Sequence, residues 1–280
     1  MPASSAFLVS LQQDTSIADF VRLLLASFVA KPVIIARALR WIIAPWSTTS
    51  SDAEKSDIDK LTQTVWDLFI LFPTIVAVPT SVASRVKETC ALEVGISSKH
   101  LAGFASHNAQ LLNPSAPSPP LTGALRDRRT ALSTKNLELT QALYDWFSEP
   151  STPRTAVSML NLLAFHEDKL DTYKAYGRAF ATDVGKRHGD VAKIVCTVLD
   201  VKEEGSHRGM KWDEIAVAHY PSVWHFADMA SSVDYQRINH EYRIGALRGT
   251  AILCCDELDA EVRRGLDMAI TMEAEVKSKI

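Results

Sequence analysis

One short motif occurs twice in this chain of 280 residues and constrains its fold more than any other feature. Each copy begins with Trp-Asp, continues as an apolar run and ends at a proline, at Trp66–Pro73 and again at Trp212–Pro221. The copies are 146 residues apart at the tryptophan and 148 apart at the proline. A match at one long offset predicts an internal duplication, in which each half of the chain folds into a similar unit.

The composition excludes several classes of protein. Hydrophobic residues make up 47% of the chain and charged residues 22%, which is enough for one large core or two small ones. The formal net charge of −3 lacks the basic excess of a nucleic-acid-binding protein, so we expect no nucleic-acid partner. The glycines match neither the dinucleotide fingerprint nor the P-loop, and we expect no nucleotide cofactor.

The cysteines and histidines give no metal motif. The four cysteines form no C-x-x-C pair and no evenly spaced framework, so we expect reduced thiols in a cytoplasmic protein. Cys254 and Cys255 are adjacent and should point to opposite faces of a strand. The eight histidines include neither H-x-H nor H-E-x-x-H, and no G-x-S-x-G marks a serine nucleophile. We therefore expect no metal and no cofactor of any kind.

Two apolar stretches must be considered as membrane spans. Residues 17–46 contain five Asp, Lys or Arg residues, and residues 66–83 contain Asp67 and two prolines, so neither is expected to cross a bilayer. Residues 1–8 have no basic segment before their apolar run and do not predict a signal peptide. An amphipathic helix over residues 20–43 that touches a membrane surface is the alternative to a helix that faces the core.

Proline-rich segments divide the chain. Residues 113–120 contain four prolines, and a second break at residues 148–153 follows a helix predicted over 136–147. We therefore expect a diverged N-terminal unit over 1–112, a linker with a bridging helix over 113–154, and a C-terminal unit over 155–280 that ends in a helical tail.

Hydrophobic periodicity gives the element order of the C-terminal unit. It predicts strands over 155–163, 192–199, 212–220 and 250–255, helices over 168–188 and 221–245, and a charged hairpin loop over 200–211. This order, βαββαβ, is the ferredoxin-like unit. In the N-terminal unit the same order predicts strands over 6–11, 66–72 and 101–106 and a long helical stretch over 17–46, while no match identifies its short second strand.

A set of motifs in the C-terminal unit resembles the dimeric α/β-barrel superfamily. The matching segments are Met159–Phe165, Tyr173-x-x-Tyr176-Gly177, Trp212–Ile215, His219–Ser222, Phe226-x-x-Met229 and Asp234–Gln236. The likeness is to small uncharacterised and EthD-like members and to tandem fungal proteins; it covers residues 155–258 directly and residues 5–112 only through the duplication. It implies an α+β fold in which two ferredoxin-like repeats close into an intramolecular, pseudo-dimeric α/β barrel with a pocket.

Three residues are candidates for catalysis. Strand alternation puts Asp213, Ile215, Val217 and His219 on one face of the third strand and Glu214, Ala216, Ala218 and Tyr220 on the other. His219 titrates near neutrality and is the best acid–base candidate, with Tyr220 as a proton donor or carbonyl ligand. Asn161 would orient a substrate carbonyl. The alternatives are structural: a hydrogen-bonded His219, a packed Tyr220 and an Asn161 that ties neighbouring strands.

The candidates for substrate binding lie on both units. Tyr235, with His240 and Arg243, would form a carbonyl or anion clamp near the end of its helix. The remaining candidates are Trp224, His225, Met159, Phe72 and Trp66, the last two as apolar walls from the first unit. The alternative for Trp224, His225 and Asp228 is a solvated helix face, and His100, His107 and Asn108 are further polar candidates near the first unit's last strand.

The resemblance implies a small-molecule enzyme whose fold is better specified than its chemistry. Superfamily members are often cofactor-free. We expect a cofactor-independent cyclase or isomerase, pericyclases included, that acts on a hydrophobic polyketide- or terpenoid-like intermediate of secondary metabolism as a monomer or homodimer. The alternatives are a cofactor-free monooxygenase or decarboxylase, and a non-catalytic small-molecule-binding or stress protein.

Overall fold

The chain forms an α+β structure around a closed antiparallel barrel. The structure is a computed structural model that describes residues 1–49, 51–127, 130–199 and 211–258. Within these residues eight strands close in the order β1-β3-β2-β8-β5-β7-β6-β4. Their bounds are β1 Ala3–Leu11, β2 Ile34–Ser47, β3 Leu68–Leu71, β4 Val86–Ile96, β5 Val157–Phe165, β6 Val191–Val198, β7 Glu214–Tyr220 and β8 Leu247–Glu257.

Helices cover the barrel and close its ends. They are α1 Ile17–Ser27, α2 Asp52–Gln63, α3 Thr80–Ala83, α4 Ser98–Leu101, α5 Phe104–Leu112, α6 Gln141–Ser148, α7 Leu170–Ala179, α8 Gly185–His188, α9 Val223–Ser231 and α10 Val233–Ile238. A π-helical turn, Phe180–Val184, joins α7 to α8, and a second one, Asn239–Arg243, follows α10. Short 3-10 turns lie at Ala124–Asp127 and Ile244–Ala246.

Side chains from all eight strands fill the barrel interior. Ala6, Phe69, Leu160, Val217 and Leu253 belong to one buried cluster there. The void that remains between β1, β3, β4, β5 and β7 measures about 10 Å³, which holds at most one water molecule. The interior of the barrel is therefore a packed core.

The two halves of the barrel repeat the same internal strand order. Around the barrel, the first half reads β4-β1-β3-β2 and the second reads β8-β5-β7-β6. In each half the fourth strand is therefore followed by the first, the third and the second. The repeated Trp-Asp motif makes the same hydrogen bonds in both. Leu11, the last residue of β1, donates its N–H to the Asp67 carboxylate at 2.7 Å, and Phe165, the last residue of β5, donates to Asp213 at 2.7 Å. Both aspartates thus serve the same structural role.

Removing either carboxylate should destabilise the fold to a similar extent. Asp67→Ala and Asp213→Ala each leave a strand-terminal N–H without its acceptor, which should cost about 1.5–3 kcal/mol in the free energy of unfolding. Urea unfolding measures this, with the exposed Asp59→Ala as the control. Losses below 0.5 kcal/mol for both variants, roughly the effect of an ordinary surface substitution, would contradict the structural role.

The C-terminal unit matches its sequence prediction closely, whereas the N-terminal unit differs from its prediction in two places. The helix predicted over 17–46 ends at Ser27, and residues 34–47 form β2 instead. Pro32 disfavours helix at the residue before it, and the following Ile-rich run pairs with β3 and β8. The last strand is β4, Val86–Ile96, whereas the predicted strand over 101–106 is mostly helical.

The prediction of an amphipathic surface helix over residues 20–43 is also wrong beyond Ser27. The apolar residues of α1, among them Phe20, Val21 and Leu24, are buried against β1 and β3. In the described residues no helix is both long and apolar enough to cross a membrane. Two further helices differ in their bounds: α6 starts at Gln141 because Thr140 caps it, and the helix predicted over 221–245 breaks where Ser232 caps α10.

Parts of the prediction lie outside the described residues. These are most of the charged hairpin loop, at 200–210, and the helical tail, at 259–280.

Candidate active site

His219 and Tyr220 are neighbours on β7 and point to opposite faces of the barrel wall. His219 follows Ile215 and Val217, which lie in the barrel interior, and it is itself buried. Tyr220 lies in the cluster between the sheet and the helices of the second half. The alternation predicted for this strand is confirmed, and the two residues therefore cannot act on one reacting atom.

His219 lies near a buried polar cluster at one end of the barrel, which we call the barrel-end cluster: Lys193, Glu257, Asn108 and Ser158. The Lys193 ammonium bonds the Glu257 carboxylate and donates to Asn108 Oδ1 at 2.6 Å. Asn108 Nδ2 and Ser158 Oγ also donate to that carboxylate, at 2.8 and 2.5 Å. A register shift between Ala192 and Ile194 accompanies the inward turn of Lys193. These contacts satisfy the buried charges and hold the barrel end together.

The protonation of His219 should make the protein sensitive to acid. Burial and, to a smaller extent, the charge of Lys193 lower the pKa of His219 to about 4. Between pH 6.5 and 4 the unfolded chain therefore binds a proton that the folded chain does not, so stability falls as the pH falls through this range. We expect His219→Gln to lose less stability than the wild type between pH 7 and pH 5, as measured by urea unfolding. Parallel losses in the two proteins would contradict it.

The other, helix-covered face of the second-half sheet has a partly exposed region, which we call the sheet–helix cleft. Its floor is Asn161 on β5 and Ala216 and Ala218 on β7, mid-strand residues that stay partly exposed under the helices. Asn161 is paired with Ala216 in the β5–β7 register. Its Nδ2 donates to the carbonyls of Met159 and Ala216 at 2.9 and 3.3 Å, so the tie between strands is present. The two alanines have small side chains, and they stay partly exposed beneath the helices.

Aromatic side chains of α7 and α10 form the wall of the cleft. Tyr173 and Tyr176 are half-buried on α7, with ring centroids 5.4 Å apart. The Tyr176 hydroxyl lies 3.3 Å from that of Tyr235 on α10. Arg243 is 2% exposed and forms a hydrogen bond with the Tyr173 hydroxyl. Burial raises the pKa of Tyr173, Tyr176 and Tyr235, so all three hydroxyls keep their protons at neutral pH.

Two carboxyl groups with raised pKa values lie at the two ends of this face. Burial raises the pKa of Glu214, at the start of β7, to about 7, with Lys174 opposing the rise. Burial and, to a smaller extent, the charge of Asp228 raise the pKa of Asp190, just before β6, to about 9. Asp190 is therefore neutral at pH 7 and can donate a hydrogen bond, whereas Glu214 is close to half-ionised.

The helices that line the cleft both carry π-helical turns. One follows Tyr176 on α7, and the other follows Tyr235 and ends at Arg243. Single π turns inside helices occur frequently at functional sites. The two turns lie on the helices that supply the polar groups of the cleft.

The first half has no comparable cleft. The paired Asp67 and Asp213 bonds align β3 with β7 at an offset of 146, which places Leu68, Ile70 and Phe72 at the positions of Glu214, Ala216 and Ala218. These three side chains are fully buried against α1 and its surroundings. On this alignment Pro73 corresponds to His219, and the first half has neither the carboxyl nor the open floor.

The predicted site residues divide into separate groups. Tyr220, Tyr235, Asn161 and Met159 lie on the helix-covered face of the second-half sheet, with Met159 beside Ala218 in the register. Trp66 and His219 lie on the interior side of the barrel wall. Phe72 packs against Phe28 in the first half. The structure therefore places four of the nine candidates on this face.

Trp224 and His225 lie on α9, away from the cleft floor, and hold other parts of the chain. The Trp224 ring packs 5.8 Å from that of Phe147. His225 Nε2 lies 2.9 Å from the carbonyl of Pro119, and the Thr122 N–H and hydroxyl both donate to Asp228 at 2.7 Å. The interpretation of Asp228 as part of a solvated face is wrong, because its carboxylate is buried where the linker crosses α9.

Several polar groups of the cleft were not among the candidates for catalysis. The sequence places Glu214 only on the face of Tyr220, and Tyr173 and Tyr176 only in a motif of the family resemblance. Asp190 follows a glycine with a φ of 76° at the end of α8, a pattern that indicates an ordinary helix end. Alternation on β7 could have identified Glu214; no pattern in the sequence identifies Asp190.

Comparison with known proteins gives only a partial likeness. No family model and no curated protein matches the sequence. Two solved structures match 44% of the chain at 22% identity: the RPA0582 protein of Rhodopseudomonas palustris, of unknown function, and its methylated form. They are covered over 97% and 96% of their own length, with TM-scores of 0.36 and 0.37. A likeness of this size carries no function to this chain. In the described residues no three His, Cys, Asp or Glu side chains form a group that could hold a metal ion.

Proposed function

We propose that this protein is a cofactor-independent cyclase or isomerase that moves a proton next to a carbonyl group of a flat, apolar compound in the sheet–helix cleft. One observation carries the proposal. The helix-covered face of the second-half sheet carries a partly exposed carboxyl with a pKa of about 7, next to tyrosines that keep their protons. Titratable groups with separated pKa values in one cleft are the arrangement that acid–base catalysis uses.

The base in this mechanism is Glu214. Its pKa of about 7 is suited to removing a carbon-bound proton at neutral pH. Tyr173 lies near Glu214, because it packs against Leu163 and Phe165, and Leu163 is paired with Glu214 in the β5–β7 register. Because the Arg243 guanidinium is a donor only, its bond to Tyr173 leaves the phenolic proton free for the substrate's oxygen. Such a preorganised donor stabilises the negative charge that develops on that oxygen.

Asp190, at the other end of this face, takes no part in the proposed reaction. Its carboxyl oxygens are buried, and it lies near Tyr220, which is six residues and about 20 Å along β7 from Glu214. Glu214 itself therefore returns the proton to the carbon skeleton, which balances the reaction. The natural substrate in this proposal is a compound of several fused rings, such as a polyketide- or terpenoid-like intermediate.

The repeated strand order and the matching Asp67 and Asp213 bonds support the finer proposal for the fold, two ferredoxin-like repeats in a pseudo-dimeric barrel. Closure within one chain leaves the barrel without an open edge, which favours a monomer over a homodimer. The four free thiols suit the reducing cytoplasm that we propose as its location.

Deuterium exchange tests the proposed chemistry without knowledge of the natural substrate. The purified protein is incubated with 2-tetralone in D₂O, and mass spectrometry follows deuterium at the carbons beside the carbonyl. We expect exchange above the buffer rate, and Glu214→Gln should slow it by about 10²-fold, with the exposed Glu167→Gln as the matched control. Ala216→Leu should fill the floor and block the reaction.

Two results would contradict the proposal. One is exchange that Glu214→Gln and Ala216→Leu leave unchanged. The other is binding of the ketone at the cleft with no exchange above the buffer rate, which would instead indicate the non-catalytic small-molecule-binding protein.

A further inference from the structure

Helix α7, which covers the sheet–helix cleft, is loosely attached to the fold. None of its ten residues, all of which the structure describes, is buried. The equivalent helix of the first half is α1, which follows β1 as α7 follows β5. Four apolar side chains of α1 are buried, those of Phe20, Val21, Leu24 and Leu25. Because segments with few buried apolar contacts open at a lower free energy than the rest of a fold, we expect α7 to open more readily than α1.

Two tyrosines hold α7 on the sheet. The centroid of the Tyr173 ring lies 4.9 Å from that of Phe165. The Tyr176 hydroxyl donates to the hydroxyl of Tyr235 at 3.3 Å. Both tyrosines of α7 are half-buried, and Ala216 in the sheet has a small side chain that stays partly exposed. The surface between helix and sheet is therefore thinly packed, and few contacts are lost when α7 leaves it.

The backbone departs from regular helix at both ends of α7. Residues 166–169 before the helix are exposed, and Asp168 among them has a φ of 59°, in the left-handed region. The π-helical turn Phe180–Val184 follows the helix, and its first and last residues are buried. The ten residues of α7 thus lie between an exposed turn and an anchored π turn, which are suitable hinges for a moving segment.

We propose that α7 is the lid of the sheet–helix cleft: it detaches from the sheet to admit the substrate and closes over it for the reaction. The inference rests on the proposed function and adds the step that precedes the chemistry. In the closed position Tyr173, the hydrogen-bond donor of the proposed reaction, lies near Glu214. Closure of the lid therefore excludes water and completes the site in one movement.

Detachment also unwinds the helix, which makes the opening measurable. Isolated helices shorter than about 12 residues are marginal in water. Gly177 lies inside α7, where glycine is unfavourable. No packing requires this glycine, because a Cβ added there would meet nothing within 4 Å in the described chain outside its own helix. The backbone N–H groups of α7 therefore lose their hydrogen bonds when the lid opens, and they then exchange with deuterium from the solvent.

Amide hydrogen exchange of the free protein measures this opening without any ligand. Mass spectrometry at pH 7, without denaturant, compares the amides of α7 with those of α1 after correction for their intrinsic rates. We expect the amides of α7 to exchange at least about 100-fold faster than those of α1. Rates within about 3-fold of each other would overturn the inference, because α7 would then open no more readily than a well-anchored helix.

Gly177→Ala connects the opening to substrate entry. Alanine stabilises the helical state, so the amides of α7 should exchange about 4- to 5-fold more slowly in this variant. A substrate captured by the open state binds in proportion to the population of that state. The kcat/KM for deuteration of 2-tetralone should therefore fall by the same factor. Gly103→Ala, whose added Cβ also meets nothing within 4 Å in the described chain, is the control and should change neither quantity.

Slower exchange of α7 in Gly177→Ala with an unchanged kcat/KM would also overturn the inference, because the ketone would then reach the cleft without the lid. The proposed function fails separately. If the wild type does not deuterate 2-tetralone, the proposed enzyme is wrong, whereas fast exchange of α7 and its slowing by Gly177→Ala still support the lid. If the ketone is deuterated and α7 is as protected as α1, the enzyme remains and the lid is wrong.

Discussion

Lys193→Met should destabilise the protein by about 3–5 kcal/mol at pH 7, because it leaves the Glu257 carboxylate buried without its counter-charge. Both side chains are completely buried. Burial alone would raise the pKa of Glu257, but the charge of Lys193 and the hydrogen bonds from Lys193, Ser158 and Asn108 hold it below its usual range. The ion pair is thus formed inside the barrel end, where water cannot replace either partner.

A second substitution separates the lost pair from the lost side chain. Lys193→Met combined with Glu257→Met removes both charges, and it should recover most of the stability that the single variant loses. Urea unfolding measures all three proteins. The control is Lys60→Met, which breaks the exposed pair with Glu88 and should cost less than about 1 kcal/mol. A Lys193→Met protein as stable as the Lys60→Met protein would show that the barrel-end cluster does not hold this end together.

Asp190→Asn should stabilise the protein at neutral pH, by an amount that grows as the pH rises from about 4 to about 9. The pKa of Asp190 is about 9 in the folded chain, against 3.8 as its ordinary value. Between these pH values the folded chain holds a proton that the unfolded chain has released, so the wild type loses stability as the pH rises, by up to about 1.4 kcal/mol per pH unit. Asparagine is neutral throughout and removes this loss.

Two measurements check this prediction. Urea unfolding at pH 5, 6, 7 and 8 should show that the gain from Asp190→Asn grows with pH, while the exposed Asp59→Asn tracks the wild type. Exchange of 2-tetralone at pH 7 should be unchanged in Asp190→Asn, because this small ketone reacts at Glu214, about 20 Å from Asp190. If the stability of the variant and of the wild type followed the same pH dependence, Asp190 would be ionised in the folded chain.

The sequence predicts the elements better than the contacts between them. The alternation of β7 correctly places His219 and Tyr220 on opposite faces, and the repeated Trp-Asp motif identifies two aspartates that make the same hydrogen bonds. The sequence does not predict a strand over residues 34–47, because α1 and the apolar run that follows it form one continuous amphipathic pattern. Only the pairing of β2 with both β3 and β8 distinguishes a strand there.

The candidate site depends on features that have no local pattern. Lys193 belongs to a strand whose charged residues would be expected to face solvent, and the register shift beside it is set by the partner strand. Asp190 gains its raised pKa from burial by elements distant in sequence. Ala216 and Ala218 are small and stay partly exposed, whereas Ile70 and Phe72 fill the corresponding positions of the first half. This difference can be recognised only when the two halves are aligned.

A crystal structure of the complex with 2-tetralone tests most directly whether the sheet–helix cleft is the site. We expect the ring system to lie over Ala216, with the ketone oxygen about 3 Å from the Tyr173 hydroxyl. A ring bound elsewhere, such as the surface groove beside Leu139 and Gln236, or an empty cleft at a concentration that saturates the protein in solution, would contradict it.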